Sequence, residues 1–182
     1  RVLVLGGDGY LGWPTAMRLV KQGFDVAVFD NFIKRRWERQ VGYSPLNPPP
    51  TLRARIEALR SDSGYEIPVF VGDIARDYDF TLDVIATFRP DAIVHYAEQP
   101  SAPFSMMGHV EATETQVNNV VGTLNLGFAI AHVNPDIHIV KLGTMGEYGT
   151  PNIRIEEGWL DVEHEGRRDR VLYPKRPGSL YH

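Results

Sequence analysis

Residues 1–12 read RVLVLGGDGYLG, and this stretch decides the fold. Its first six residues are almost wholly apolar, as a strand buried on both faces must be. Glycines then stand at Gly6, Gly9 and Gly12, immediately before a run with helical spacing. That run covers 10–22, with apolar positions at Leu11, Met17, Leu19 and Val20 and a closing Gly23. A strand entering a helix through three spaced glycines is built for a ligand. Gly6 permits the tight turn, Gly9 lets backbone N–H groups approach a pyrophosphate, and Gly12 allows close helix–sheet packing. The helix N-terminus brings partial positive charge to the phosphates. Tyr10 and Leu11 belong to the same turn.

Outward from this turn the chain alternates strand and helix, the pattern of a doubly wound parallel sheet, an α/β Rossmann fold. Residues 25–30 (DVAVFD), 67–72, 91–95 (DAIVH) and 137–142 (IHIVKL) read as further strands. Helices are expected over 51–60 behind a Thr51 cap, over 80–88, and over about 112–132. Residues 31–50 are irregular and end in three prolines, and 98–109 read as a loop holding Pro100, Pro103 and Gly108. Past Gly149 the periodicity fades into a hairpin-like excursion around 150–158 and 163–169.

Asp30 ends the second strand 18 residues after Gly12. A carboxylate there accepts hydrogen bonds from adenosine ribose hydroxyls and repels a 2′-phosphate, so NAD is favoured over NADP. Asn31 follows it. Lys34, Arg35 and Arg36 pull the other way, and read better as a solvated helix face than as phosphate ligands.

Bulk properties narrow the function further. The 182 residues suit one domain, and 43% hydrophobic content is that of a globular chain. A net charge of −4 without a basic stripe argues against nucleic acid. The absence of cysteine removes disulfides, thiolate chemistry and Cys-containing zinc sites, and fits a cytoplasmic protein. No apolar run is long enough to span a bilayer, and the histidines show no metal-ligand spacing.

Several stretches carry a family resemblance. The glycines, Asp30, the pair Asp73-Ile74 and the run Asn119-Val120-Val121-Gly122-Thr123-Leu124-Asn125 resemble the extended short-chain dehydrogenase/reductases. Within that family, three segments are similar to the UDP-sulfoquinovose synthase branch. These are His95-Tyr96-Ala97-Glu98-Gln99, the stretch from Ser101 to Met106, and above all Lys141-Leu142-Gly143-Thr144-Met145-Gly146-Glu147-Tyr148-Gly149 with its continuation to Ile153.

The resemblance implies NAD as cofactor and UDP-glucose, or a related nucleotide sugar, as substrate, with sulfite as second substrate. It implies that Asp73 and Ile74 meet the adenine and that Asn119 organises the active-site water and Lys network. Tyr181 matches the Tyr of the family's Tyr-x-x-x-Lys motif, whose Lys would lie three residues beyond His182. Thr144 matches the hydroxyl that bonds the sugar's 4-oxygen, and Glu147 and His182 are the further acid/base groups. Gln99, Ser101 and Met145 fall at sugar-binding positions. A substrate domain downstream and a homodimer are also implied. Two positions depart: Pro100 stands where the branch tends to carry Arg, and Glu114 where it carries an aromatic. The alternative reading is a related epimerase or dehydratase that uses no sulfite.

Overall fold

The computed structural model describes residues 1–143 and 158–173. The chain divides into two units, Arg1–Leu142 and Gly143–His182.

The first unit is a five-stranded, wholly parallel sheet in the order β3-β2-β1-β4-β5. The strands are β1 (Val2–Leu5), β2 (Val26–Asp30), β3 (Val69–Val71), β4 (Ala92–His95) and β5 (His138–Lys141). The order reverses at β1, whose neighbours are β2 on one side and β4 on the other. A crevice therefore opens at the carboxyl ends of β1 and β4, where ligands bind in such sheets. All five strands fall within the segments the sequence predicts.

Strand alternation divides the core. Leu3, Leu5, Ala27 and Phe29 face one side, and Val2, Val4, Val26 and Val28 the other. The first set packs on α4 (Tyr78–Phe88) and α7 (Gly122–Val133) through Val84, Ile85, Leu126, Ala129 and Ile130. The second packs on α1 (Gly12–Lys21) and α3 (Leu52–Ser63) through Trp13, Ala16, Val20, Leu52 and Leu59. Helices on both faces make the sheet doubly wound. As expected, Thr51 caps α3, its hydroxyl accepting from the Ala54 N–H at 3.2 Å.

Three elements differ from the sequence reading. Residues 31–50 contain a helix, α2 (Ile33–Gln40), of sequence IKRRWERQ; only Trp37 of it is buried, so it carries no apolar stripe to read. The loop over 98–109 contains a one-turn helix, α5 (Ala102–Ser105), capped by Ser101. The long helix begins earlier, as α6 (His109–Gln116), and widens into a π segment, Val117–Val121, before α7.

In the second unit, Gly158–His164 (β6) and Arg167–Tyr173 (β7) form an antiparallel hairpin. Of the hairpin-like excursion expected around 150–158 and 163–169, residues 150–157 lie outside the described residues, and the hairpin's turn at Glu165-Gly166 falls in the second stretch.

Leu126 is 1% exposed at the centre of the core shared by α4 and α7. Leu126→Ala is expected to cost about 3 kcal/mol, read as a lower urea midpoint at unchanged slope by circular dichroism.

Candidate functional site: a cleft at the sheet's switch point

The turn after β1 is shaped by what its glycines lack. A Cβ on Gly12 would sit 2.0 Å from the Gly6 carbonyl oxygen, so α1 could not lie this close to the strand with any other residue. Gly6 has φ +80°, and a Cβ there would meet the Tyr96 backbone at 2.8 Å. The Gly9 N–H closes the turn on the Gly6 carbonyl at 3.0 Å. The Gly9 amide is thus spent within the turn, and what Gly9 offers the cleft is the lack of a side chain. Helix α1 starts without a side-chain cap and without an acidic residue in its first turn. The N–H groups of Tyr10, Leu11 and Gly12 have no acceptor among the described residues. Tyr10 is 86% exposed, so the contribution it and Leu11 can make here is through the backbone. Three free amides at an uncapped helix N-terminus form an anion site.

A cleft opens beside this turn, lined by Gly6, Gly9, Asp30, Asn31, Ile74 and Asn118 among others. Asp30 is held in it from both sides. Its Oδ2 accepts from the Asp8 N–H at 2.8 Å and its Oδ1 from the Phe32 N–H at 2.7 Å. Burial pushes this carboxyl above its ordinary value, against the pull of those two N–H groups, and the neighbouring Asp8 charge adds to the rise. Each oxygen keeps a lone pair for a diol. Asn31 donates to Asp73 Oδ2 at 3.0 Å. Asp73 Oδ1 accepts from the Ala75 and Arg76 N–H groups, which presents buried Ile74 to the cleft. Uncapped amides, glycine-shaped walls and a diol-ready carboxylate fit a dinucleotide's pyrophosphate and ribose.

Beyond the end of β4, next to the cleft-lining Glu98 and Asn118, Asn119 and Gln99 are locked together. The Asn119 amide donates to the Gln99 carbonyl at 3.0 Å, and its Oδ1 accepts from the Gln99 N–H at 2.7 Å. Gln99 is 7% exposed, and its own Oε1 accepts from the Ser101 N–H at 2.8 Å. Asn118, unremarked in the sequence, reaches the Ala97 carbonyl and Asn119 Oδ1. The described residues thus bring Gln99, Ser101 and Asn119 together at the end of β4. Thr144, Met145, Glu147, Tyr181 and His182 lie outside the described residues.

The roles of Asp8 and His95 escaped the sequence reading, as did the partners of the basic run on α2. Lys34 and Arg36 are exposed, as a solvated helix face is, and each charge of the run Lys34–Arg36 has a partner. Lys34 pairs with Glu38 at 2.7 Å, Arg35 with Asp8 at 2.6 Å, and Arg36 with Glu114 at 2.9 Å. Glu114 also accepts from Trp37 Nε1 at 2.8 Å, so its charge is turned to α2. His95, fully buried at the end of β4, accepts from the Ala97 N–H through Nδ1 at 3.3 Å. Its Nε2 lies 3.3 Å from Thr123 Oγ1 and 3.5 Å from Glu98 Oε1, which pairs with Lys141 at 2.8 Å. Burial, with Lys141 adding, pushes His95 down to about 4. It is therefore neutral, with its proton on Nε2. The signal for Asp8 was in the sequence: an anionic side chain inside a turn built for phosphate.

A parallel, doubly wound sheet with this cleft at its switch point is a Rossmann-like nucleotide-binding fold. The chain belongs to the NAD dependent epimerase/dehydratase family, whose model matches residues 2–169. It is 47% identical over 182 residues to the chloroplastic UDP-sulfoquinovose synthase of Spinacia oleracea and 44% identical over 183 residues to the UDP-sulfoquinovose synthase of Sulfolobus acidocaldarius. Both alignments cover 100% of this chain, which spans 38% and 46% of those relatives' own lengths. Among solved structures it resembles UDP-glucose 4-epimerase from Bifidobacterium longum in complex with NAD+ and UDP. The TM-score is 0.65 at 25% identity, over 84% of this chain and 39% of that one. No metal-holding cluster of His, Cys, Asp and Glu occurs among the described residues, and no helix there is long and apolar enough to cross a membrane.

The buried neutral His95 has a stability consequence. Its folded pKa lies below the ordinary 6.5, so the unfolded chain binds the extra proton first. Its contribution is whole above about pH 6.5 and is lost as pH falls through about 4, a loss of about 3 kcal/mol. Urea unfolding between pH 4 and 7 should show this slope, and His95→Gln should flatten it.

Proposed function

We propose that this chain is the NAD-binding part of an enzyme that converts UDP-glucose and sulfite to UDP-sulfoquinovose. The observation that carries the reading is full-chain similarity at 47% and 44% identity to two UDP-sulfoquinovose synthases, joined to the cleft at the carboxyl ends of β1 and β4. In this reading the free amides of Tyr10, Leu11 and Gly12 receive the pyrophosphate, with Gly6 and Gly9 making room. Asp30 takes the adenosine ribose hydroxyls, Asn31 steadies the loop, and Asp73 and Ile74 face the adenine. NAD, when bound, supplies a two-electron acceptor and donor for C4 of the sugar.

This chain's residues handle the protons. Tyr181 takes the proton of the sugar's 4-hydroxyl, and Thr144 hydrogen-bonds the same oxygen. The resulting 4-keto group acidifies the proton on C5. Glu147 and His182 serve as the acid/base pair: one removes that proton while the other protonates the departing 6-hydroxyl, which leaves as water. Sulfite then forms its carbon–sulfur bond at C6, and the C5 proton and 4-hydroxyl are restored. Gln99, Ser101 and Met145 line the sugar side, and Asn119, fixed by its two bonds to Gln99, orders the polar network between. A homodimer through the Asn119 helix completes the proposal, supported by exposed Val120, Leu124 and Phe128, which follow one another at helical spacing.

The full-length polypeptide, incubated with UDP-glucose with and without sulfite, should give a UDP-sulfosugar by mass spectrometry only when sulfite is present. An epimerised, dehydrated or keto sugar regardless of sulfite would instead assign the related epimerase or dehydratase chemistry, the outcome consistent with Pro100 in place of Arg. Thr144→Ala should lower kcat by roughly 10²-fold and Tyr181→Phe by more. Asp30→Ala should weaken NAD binding at least tenfold by calorimetry, the loss of hydrogen bonds to a charged group.

A further inference from the structure

We infer that Asp8 sets the choice of dinucleotide by holding Arg35 and Arg55 away from a 2′-phosphate. This inference rests on the proposed NAD-binding reading and adds to it a second selectivity residue besides Asp30.

The geometry is specific. Asp8 lies inside the glycine turn, and its own N–H donates to Asp30 Oδ2 at 2.8 Å. Its carboxylate is gripped by two arginines from different helices. Arg35, in the first turn of α2, forks onto it, with Nε to Oδ2 at 2.6 Å and Nη2 to Oδ1 at 2.9 Å, and Nη2 also meets the Pro50 carbonyl at 3.1 Å. Arg55, from α3, donates through Nη2 to Asp8 Oδ1 and to the Asp8 carbonyl at 3.1 Å, while its guanidinium lies 5.3 Å from the Trp13 ring centre. The Arg55 Nε is buried with no acceptor among the described residues. Asp8, Lys34, Arg35 and Arg39 also line a hollow beside the cleft, against Pro48 and Pro49. A phosphate on the 2′-oxygen of a ribose held at Asp30 would project toward this group.

The charges decide what such a phosphate meets. Asp8 and Asp30 contribute two negative charges, Arg35, Arg55 and Arg39 three positive ones, and Lys34 is matched by Glu38. A phosphate dianion would find the bidentate fork of Arg35 already filled by carboxylate, with Asp30 repelling it. Asp8 thus converts two arginines that could bind phosphate into supports for the turn. Without its charge the cluster gains one unit of positive charge and the Arg35 fork opens.

The test uses the full-length protein freed of nucleotide and titrated with NAD and NADP by calorimetry. The native protein is expected to prefer NAD. Asp8→Asn should lower the ratio of NADP to NAD dissociation constants by roughly ten- to a hundredfold, and adding Arg35→Ala to it should remove most of that gain. A purely structural Asp8 would weaken both dinucleotides by one factor and leave the ratio unmoved, which overturns the proposal. Arg35→Ala in the native background gives an independent arm if Asp8→Asn does not fold. There the ratio should shift less than about twofold, because the guanidinium is already committed; a large loss of NADP binding would mean that it meets phosphate, and would also overturn the proposal. Binding of neither dinucleotide by the native protein removes the cofactor reading and this inference together, whereas tight NAD with an unmoved ratio removes this inference alone.

Discussion

The approach of α1 to β1 governs the rest of the site. With the Gly12 Cα resting against the Gly6 carbonyl, helix and strand share one turn, and the helix N-terminus arrives beside the carboxyl end of the central strand. Its first amides then find no acceptor among the described residues. The same turn delivers the Asp8 N–H to Asp30, so the carboxylate at the end of β2 is oriented by the loop that receives the phosphates. Anion site and diol site are consequently one rigid piece, fixed by a single steric contact. Any side chain at residue 12 would push them apart before it affected the sheet.

Around this piece the charges are arranged in closed pairs. Each basic residue of α2's opening run finds its own carboxylate, and the partners lie on three different elements: Glu38 on α2 itself, Asp8 in the glycine turn and Glu114 on α6. Pairs of partial exposure contribute modestly to stability. Their larger effect is geometric, since α2 has only Trp37 to bury and would otherwise be poorly held over the cleft. Trp37 combines both modes, packing on Phe104 at a ring distance of 5.5 Å while donating to Glu114.

This contrast explains what the sequence revealed and what it hid. The strands were legible because a parallel sheet covered on both faces demands continuous apolar runs, as in residues 2–5 and 26–29. The glycine spacing was legible because steric needs recur at fixed offsets. Helix α2 was not, because its stability comes from partners distant in the chain, such as Glu114, 78 residues from Arg36. Pairing of that kind leaves no periodic trace. The same is true of Asp8, whose two arginines lie 27 and 47 residues away, and of His95, which reads as the end of a strand and becomes a neutral buried imidazole only once Thr123 and Glu98 surround it.

The π segment at Val117–Val121 has an implication for how this helix can change over time. One extra residue in a helical turn rotates everything beyond it by about 100° relative to a regular α-helix. Here that offset lets two consecutive side chains, Asn118 and Asn119, both reach the loop at residues 97–99, which adjacent positions on an ordinary helix would do poorly. The segments before and after the bulge are thereby out of the phase that one regular helix would give them. An insertion or deletion of one residue in this stretch would act as a rotation: it would leave the helix intact while turning either its asparagines or its apolar face away from the partners they meet.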